Sequence, residues 1–262
     1  MGQRTESADT LFWRSITLTL SMLLCTNSFA AQRVVEESIS VNSDVIFSID
    51  SHRGRVNITT ADVDSIEIRA VIRHDDADVL DNVEINIYRS RERVSVDVDY
   101  DQPIFNLSRL FSINNYEYPD ILFEIVLPDE ASLRIESHRS RLDIDAPSGR
   151  VRISTHRGAG RIGGIRNDLQ LETHRGSFEL EILELHDVDI DTHRGDIELG
   201  IVQANNFTID AHTNRGSLRV RGRDVSVHRD DRDSYINYRQ GDGRNLIKVE
   251  SHRGDIRFRF LD

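Results

Sequence analysis

The chain has a single cysteine, four prolines, one tryptophan and, among its basic residues, a single lysine, Lys248. Cys25, the lone cysteine, falls in an apolar N-terminal segment. A chain processed beyond it has neither a disulfide nor a thiolate metal site, and its stability must come from the fold. The few prolines and the regular apolar alternation argue against disorder. Hydrophobic residues make up 38% and charged residues 30% of the chain, which suits a thin structure in which every second residue faces water. The net charge of −12 argues against a nucleic-acid binder, because phosphate binding needs a dominant basic face. The cations are nearly all arginine, which favours structured ion pairs or bidentate anion contacts over a diffuse basic surface.

The N-terminus reads as a signal peptide over residues 1–30. Arg4 and Arg14 bracket a polar lead, Ser15 to Cys25 is an apolar run, and Ser28-Phe29-Ala30 places small residues where a signal peptidase reads them. The mature chain is expected to begin near Ala31, exported to the periplasm or the cell surface and not integral to a membrane. A retained anchor is the alternative, although the run is short for a bilayer.

What the chain has in abundance is one tetrapeptide, Ser/Thr-His-Arg-Gly. It occurs at Ser51 to Gly54, Thr155 to Gly158, Thr173 to Gly176, Thr192 to Gly195 and Ser251 to Gly254, with looser copies at Ser137-His138-Arg139-Ser140 and His212-Thr213-Asn214-Arg215-Gly216. From His138 the histidines step by 18, 18, 19 and 19 residues to His156, His174, His193 and His212. A period that short predicts a parallel β-solenoid, or β-helix, in which each repeat is one coil. Gly216 and Gly254 are 38 residues apart, twice the period, so a coil there is expected to have lost the motif, or to keep it only around His228.

The fold class expected is therefore all-β. Residues 31–132 form a β-rich, irregular N-terminal part acting as a cap, with a loop insertion at 100–120, and residues 133–262 form the solenoid repeats. Period-two runs such as Ile66, Ile68, Ala70 and Ile72 mark half-buried strands, and no helical run stands out beyond the signal. Gly54, Gly158, Gly176, Gly195, Gly216 and Gly254 are expected at a structural corner that needs positive φ or close backbone approach. The hydroxyls before the motif histidines, with Ala211 in the looser copy, are expected inside, bonded to one another or to backbone.

Outward columns carry whatever chemistry exists. His138, His156, His174, His193 and His212 beside Arg139, Arg157, Arg175, Arg194 and Arg215 form a candidate ligand-binding ladder, with Arg53 and Arg253 extending the guanidinium column. An acidic residue precedes most of the histidines by two: Asp50, Glu136, Glu172, Asp191, Asp210 and Glu250. Three outcomes are open. Arginine and carboxylate neutralise one another across coils, imidazole and carboxylate hold a divalent metal, or the arginines take an acidic glycan or other envelope component, more so once the imidazoles are protonated. No catalytic residue is expected, because the repeat makes Ser-His-Asp combinations without distinguishing any one of them.

The segment Phe123-Glu124-Ile125-Val126-Leu127-Pro128, continuing through Ala131-Ser132-Leu133-Arg134-Ile135 into strand-Thr-x-x-Gly-strand units, resembles the bacterial putative-adhesin β-solenoid family, a domain of unknown function. The resemblance implies a parallel β-solenoid of the cell envelope and supplies no catalytic residue. The function expected is thus an exported, non-enzymatic, adhesin-like binding or structural module without a cofactor. The alternatives are a carbohydrate-active β-helix enzyme, marked by carboxylates in one groove flanked by aromatics, and a scaffold assembling end to end through Ile256, Phe258 and Phe260.

Overall fold

Alternation of apolar and charged residues becomes alternation of burial throughout the described residues, 31–100, 118–202 and 204–261, of this computed structural model. The expected signal peptide and most of the 100–120 insertion lie outside them. Strands dominate, and the described residues are all-β apart from α1 (Ala77–Asp81), a short helix whose first turn is closed by Asp76 accepting a hydrogen bond from the Asp78 amide.

The unit of the fold is a tier of two strand segments meeting at the motif. β2 (Ile46–Ala61) and β7 (Ser132–Asp145) run through the corner unbroken. The next tiers divide there: β8 (Val151–Arg157) with β9 (Ala159–Ile165), β10 (Leu169–Arg175) with β11 (Phe178–Ile182), and β12 (Val188–Arg194) with β13 (Ile197–Val202). Neighbouring tiers pair in parallel register, so Phe47, Leu133, Val151, Leu169 and Val188 form one buried column. Ile49, Ile135, Ile153, Leu171 and Ile190 form the next. Beyond the corner, Phe178, Leu180 and Ile182 stack on Ile197, Leu199 and Ile201 and belong to the same core. Burying one Leu, Ile or Phe contributes roughly 1.5–3 kcal/mol, so the stack of apolar columns supplies most of the driving force.

Chain order and spatial order part company after β13. The chain forms β14 (Phe207–Thr213), β15 (Leu218–Arg221), β16 (His228–Asp230) and β17 (Asp233–Gln240), then returns as β18 (Asn245–Arg253) and β19 (Ile256–Leu261). β18 lies between β12 and β14, and β19 lies between β13 and β15. The last tier in sequence is thus inserted beneath an earlier one.

Two expectations change as a result. The 38-residue interval holds no degenerate coil: β16 and β17 form an antiparallel hairpin around His228 and Tyr235, and β17 pairs antiparallel with β14. Nor is the face formed by Ile256, Phe258 and Phe260 available for end-to-end contact. All three are buried, and both edges of β19 are already paired.

Antiparallel strands cover the other end. β1 (Ala31–Ser40), which precedes the strands expected from sequence, pairs with β3 (Ser65–His74), and β3 pairs with β6 (Asp120–Pro128), which lies parallel to β2 beyond the corner. Before the corner, β5 (Arg93–Tyr100) runs parallel to β2 and is covered by β4 (Val83–Arg89). Such strands occupy edges that would otherwise offer unpaired backbone groups to another chain.

Candidate functional site

The motif corners stack into columns whose spacing is set by the strands. In spatial order the imidazoles of His52, His138, His156, His174, His193 and His252 lie face to face, with centroids 4.7–4.9 Å apart and planes within 13° of parallel. The guanidinium column follows one residue later: Arg53, Arg139, Arg157, Arg175, Arg194, Arg253 and then Arg215. On the opposite side of the imidazoles, two residues earlier, run Asp50, Glu136, Ser154, Glu172, Asp191 and Glu250.

His212 does not belong to the imidazole column. β14 pairs with β18 so that His212 lies beside Glu250 and Thr213 beside Ser251. His212 therefore stands in the carboxylate column, 3.6 Å from Asp233 of the hairpin. Asn214 takes the position next to His252, its amide donating to the Ser251 carbonyl and its side chain bonded to Asp233. The true copy in this tier is Thr213-Asn214-Arg215-Gly216. Counting three residues back from Gly216 to a hydroxyl, as in every other copy, would have located it. Asp210 likewise leaves the acidic column, facing Lys248, and Thr213 rather than Ala211 stands with the motif hydroxyls.

The corner glycines let tiers approach. Gly195 has φ +142°, and a Cβ on it would collide with the carbonyl of Gly176 in the tier below; Gly176 and Gly254 repeat the arrangement against Gly158 and Gly195. One tier manages otherwise, with Ser140 opposite Gly54. The hydroxyl column behaves differently from expectation. Thr213 donates to the Gly254 carbonyl and the Ser51 hydroxyl lies 3.5 Å from that of Ser140, as expected, but the hydroxyls of Ser137, Thr155, Thr173, Thr192 and Ser251 make no hydrogen bond among the described residues. A tier spacing of about 4.8 Å exceeds hydrogen-bond length, so equivalent hydroxyls cannot reach one another.

Charge is compensated unevenly. On the strands beyond the corner, arginines find carboxylates in their own or neighbouring tiers: Arg259 meets Glu198 at 2.8 Å and Arg257 meets Asp255 at 3.0 Å and Asp196 at 3.4 Å. Among the described residues, Arg53 alone in the motif column has such a partner, Asp120 at 2.7 Å. The guanidinium groups of Arg139, Arg157, Arg175, Arg194, Arg215 and Arg253 make no hydrogen bond or ion pair among the described residues, and all but Arg253 are exposed. The acidic column draws its partners from its own strands instead, through Arg134 to Glu136 and Lys248 to Glu250. Self-neutralisation thus describes the far face and not the motif column.

Four imidazoles of the column resist protonation. Partial desolvation comes first, and neighbouring imidazoles or arginines follow, in holding His138, His174 and His252 below the ordinary histidine value; for His52 the neighbours are Arg139 and Arg53. Desolvation and neighbouring carboxylates push Asp50 and Asp191 up. Parallel rings also aim their lone pairs along parallel planes, not at a common point. Among the described residues no group of three or more His, Cys, Asp or Glu is placed to hold a metal ion.

At the His52 end the ladder loses its uniformity. Tyr118 packs on His52 with centroids 4.0 Å apart, and Tyr100 meets Tyr118 edge to face at 4.9 Å. Beside them a groove of about 610 Å³ gathers Asp50, Asp97, Asp99 and Glu136 with His52, His138 and Tyr100. Sequence reading missed this grouping because Asp97 and Asp99 enter from β5, outside the repeat.

The geometry defines an all-β protein of stacked parallel tiers presenting charged columns. The chain belongs to the Toastrack DUF4097 family, whose profile matches residues 128–259. Its fold is similar to that of a putative cell adhesion protein from Clostridium sporogenes, at 15% identity over 87% of this chain and 100% of that one, with a TM-score of 0.51. A putative adhesin from Bacteroides fragilis aligns at 12% identity over 87% and 97% of the two chains, with a TM-score of 0.29. No curated protein matches the sequence. Among the described residues no helix is long and apolar enough to cross a membrane.

Proposed function

We propose that the tiers close into a parallel β-solenoid of 18–19-residue coils, with residues 133–262 supplying repeats and residues 31–132 closing one end. In this reading residues 1–30 direct export, and the mature chain is a non-enzymatic module of the periplasm or cell surface. Its role is adhesin-like: the motif face holds a linear acidic polysaccharide. The observation that carries this is the guanidinium column, in which six of seven arginines lack a carboxylate partner among the described residues while the protein as a whole is strongly acidic. Guanidinium forks repeating at strand spacing match a polymer that carries a carboxylate or sulfate on successive sugars. The imidazole column separates these arginines from the acidic column and adds positive charge in acid. The description of the Clostridium protein as a cell adhesion protein agrees with this role.

The test is binding of the full-length protein to an immobilised polyuronate, with a neutral glucan as control. Saturable binding that weakens with salt, and that is lost in the Arg157→Gln/Arg175→Gln/Arg194→Gln variant, supports the reading. Binding unaffected by that variant, or absent from acidic polymers altogether, overturns it. No cofactor is required, and a divalent ion shared by two motif histidines would need their rings to turn out of the stack.

A second reading has its own observation. The groove beside Tyr100 collects carboxylates, one of them, Asp50, held up by desolvation and by Glu136, Asp97 and Asp99. Paired carboxyl groups in one groove, one of them held up, are the side chains that glycoside cleavage uses. Release of reducing ends from a polysaccharide, abolished by Asp50→Asn, would favour this enzymatic role; a wild-type protein that releases none counts against it.

A further inference from the structure

At the Arg53 end of the ladder, two arginines of the motif column and three others converge on one carboxylate. A groove of about 390 Å³ is lined by Arg53, Arg55, Arg73, Arg139 and Arg141, with Asp120 the sole acid among the described residues. The backbone dictates the meeting. Arg53 and Arg139 are register partners in the guanidinium column, Arg55 and Arg141 are partners two residues further on, and Arg73 arrives on β3, directly opposite Asp120 of β6. Asp120 is already engaged by Arg53. The guanidinium groups of Arg55, Arg73, Arg139 and Arg141 have no hydrogen bond or ion pair among the described residues.

Such crowding is costly unless something negative occupies the groove. Like charges at close range repel, and salt screens them only in part. On the same face, from the next tier onward, arginines are matched: Arg161 has Glu181 and Arg259 has Glu198. The lack of acids here is therefore local, not a general trait of this face. Guanidinium groups offer paired N–H donors that fit the oxygens of phosphate and sulfate, and several acting together focus a strong positive potential. The groove is also larger than a bare oxyanion needs, and Val71, Ile121 and Leu122 line it beside the arginines.

The geometry points to an anion-binding site at this end of the molecule that takes a phosphate or sulfate monoester carried on a sugar-sized body. It does not depend on the polysaccharide reading, since it uses only the first two tiers and β3, and each can fail without the other.

Calorimetry on the full-length protein at low salt tests it, with glucose 6-phosphate, glucose 6-sulfate, inorganic phosphate and glucose as probes. Saturable binding of at least one ester is expected, with inorganic phosphate weaker and glucose silent; the ranking of the two esters identifies which oxyanion the site prefers. Arg73→Gln/Arg141→Gln should weaken ester binding at least tenfold, whereas Arg244→Gln, which pairs with Asp242 and lines neither the groove nor the motif column, should leave it within twofold. Asp120→Asn removes the competing carboxylate and should tighten binding several-fold, a gain that loss of folding cannot imitate. No saturable ester binding, inorganic phosphate binding as tightly as the esters, or unchanged affinity in Arg73→Gln/Arg141→Gln would overturn the proposal.

Discussion

His193 stacks on His252, with centroids 4.9 Å apart and planes 9° from parallel, although His212 is the next member of the histidine series in sequence. That contact requires β18 to enter between β12 and β14, and it makes the C-terminal strands part of the interior of the stack. Removing residues 245–262 should leave β14 and β15 without parallel neighbours and expose Phe207 and Ile209. The truncated chain is expected to lose cooperative thermal unfolding, followed by circular dichroism. A truncated protein that melts like the full chain would contradict this register.

The corner column should be intolerant of a methyl group. Gly195→Ala places a Cβ against the Gly176 carbonyl at a positive φ, and the backbone strain alone costs roughly 1–3 kcal/mol. Urea unfolding should show a lower midpoint with a similar slope. Ser140→Gly should be far milder, since that tier already accommodates a side chain, and an equal loss in both variants would argue against the stacking contact.

Asparagine should be accepted in the imidazole column, because Asn214 already follows His252 there. His156→Asn, His174→Asn and His193→Asn together should leave the fold intact by circular dichroism. His212→Asn, in contrast, should leave ligand binding unchanged, because His212 stands beside Glu250 and Asp233.

Stability should fall in mild acid. His52, His138, His174 and His252 have folded values below their unfolded one, so the unfolded chain takes up protons first and stability is lost as pH drops below about 6.5. Asp50 and Asp191 act with the opposite sign: their values are raised by folding, so acidification towards the carboxylate range relieves them. The urea midpoint should therefore decline from pH 7.5 to 5.5, less steeply with His138 and His174 replaced by Asn. A midpoint constant over that interval would contradict the titration.

How far the sequence could be read follows from what repetition encodes. The alternation in Val188 to Thr192, and the hydroxyl three residues before Gly195, specify the strand, its inner face and its corner from local chemistry alone. Those signals cannot say which tier lies on which. A histidine spacing of 19 from His193 to His212 is met equally well by a chain that continues upward and by one that leaves room for β18. The hairpin was visible only as the polar run before Tyr235, where alternation around Ile236 could mean a coil strand or an antiparallel one. The two grooves were harder still. Asp97, Asp99 and Arg73 lie in strands with no motif, and only the cross-strand register brings them to the repeat.

The central claim is that the guanidinium column takes an acidic polymer and the imidazole column tunes it. The most direct test is the affinity of the full-length protein for one polyuronate at pH 5.5 and pH 7.5 at constant ionic strength, beside the His156→Asn/His174→Asn/His193→Asn variant. The account predicts tighter binding at pH 5.5 for the native protein and a much smaller pH effect in the variant, with binding at pH 7.5 retained by the arginines. Equal pH dependence in both proteins, or native binding that weakens in acid, would contradict it.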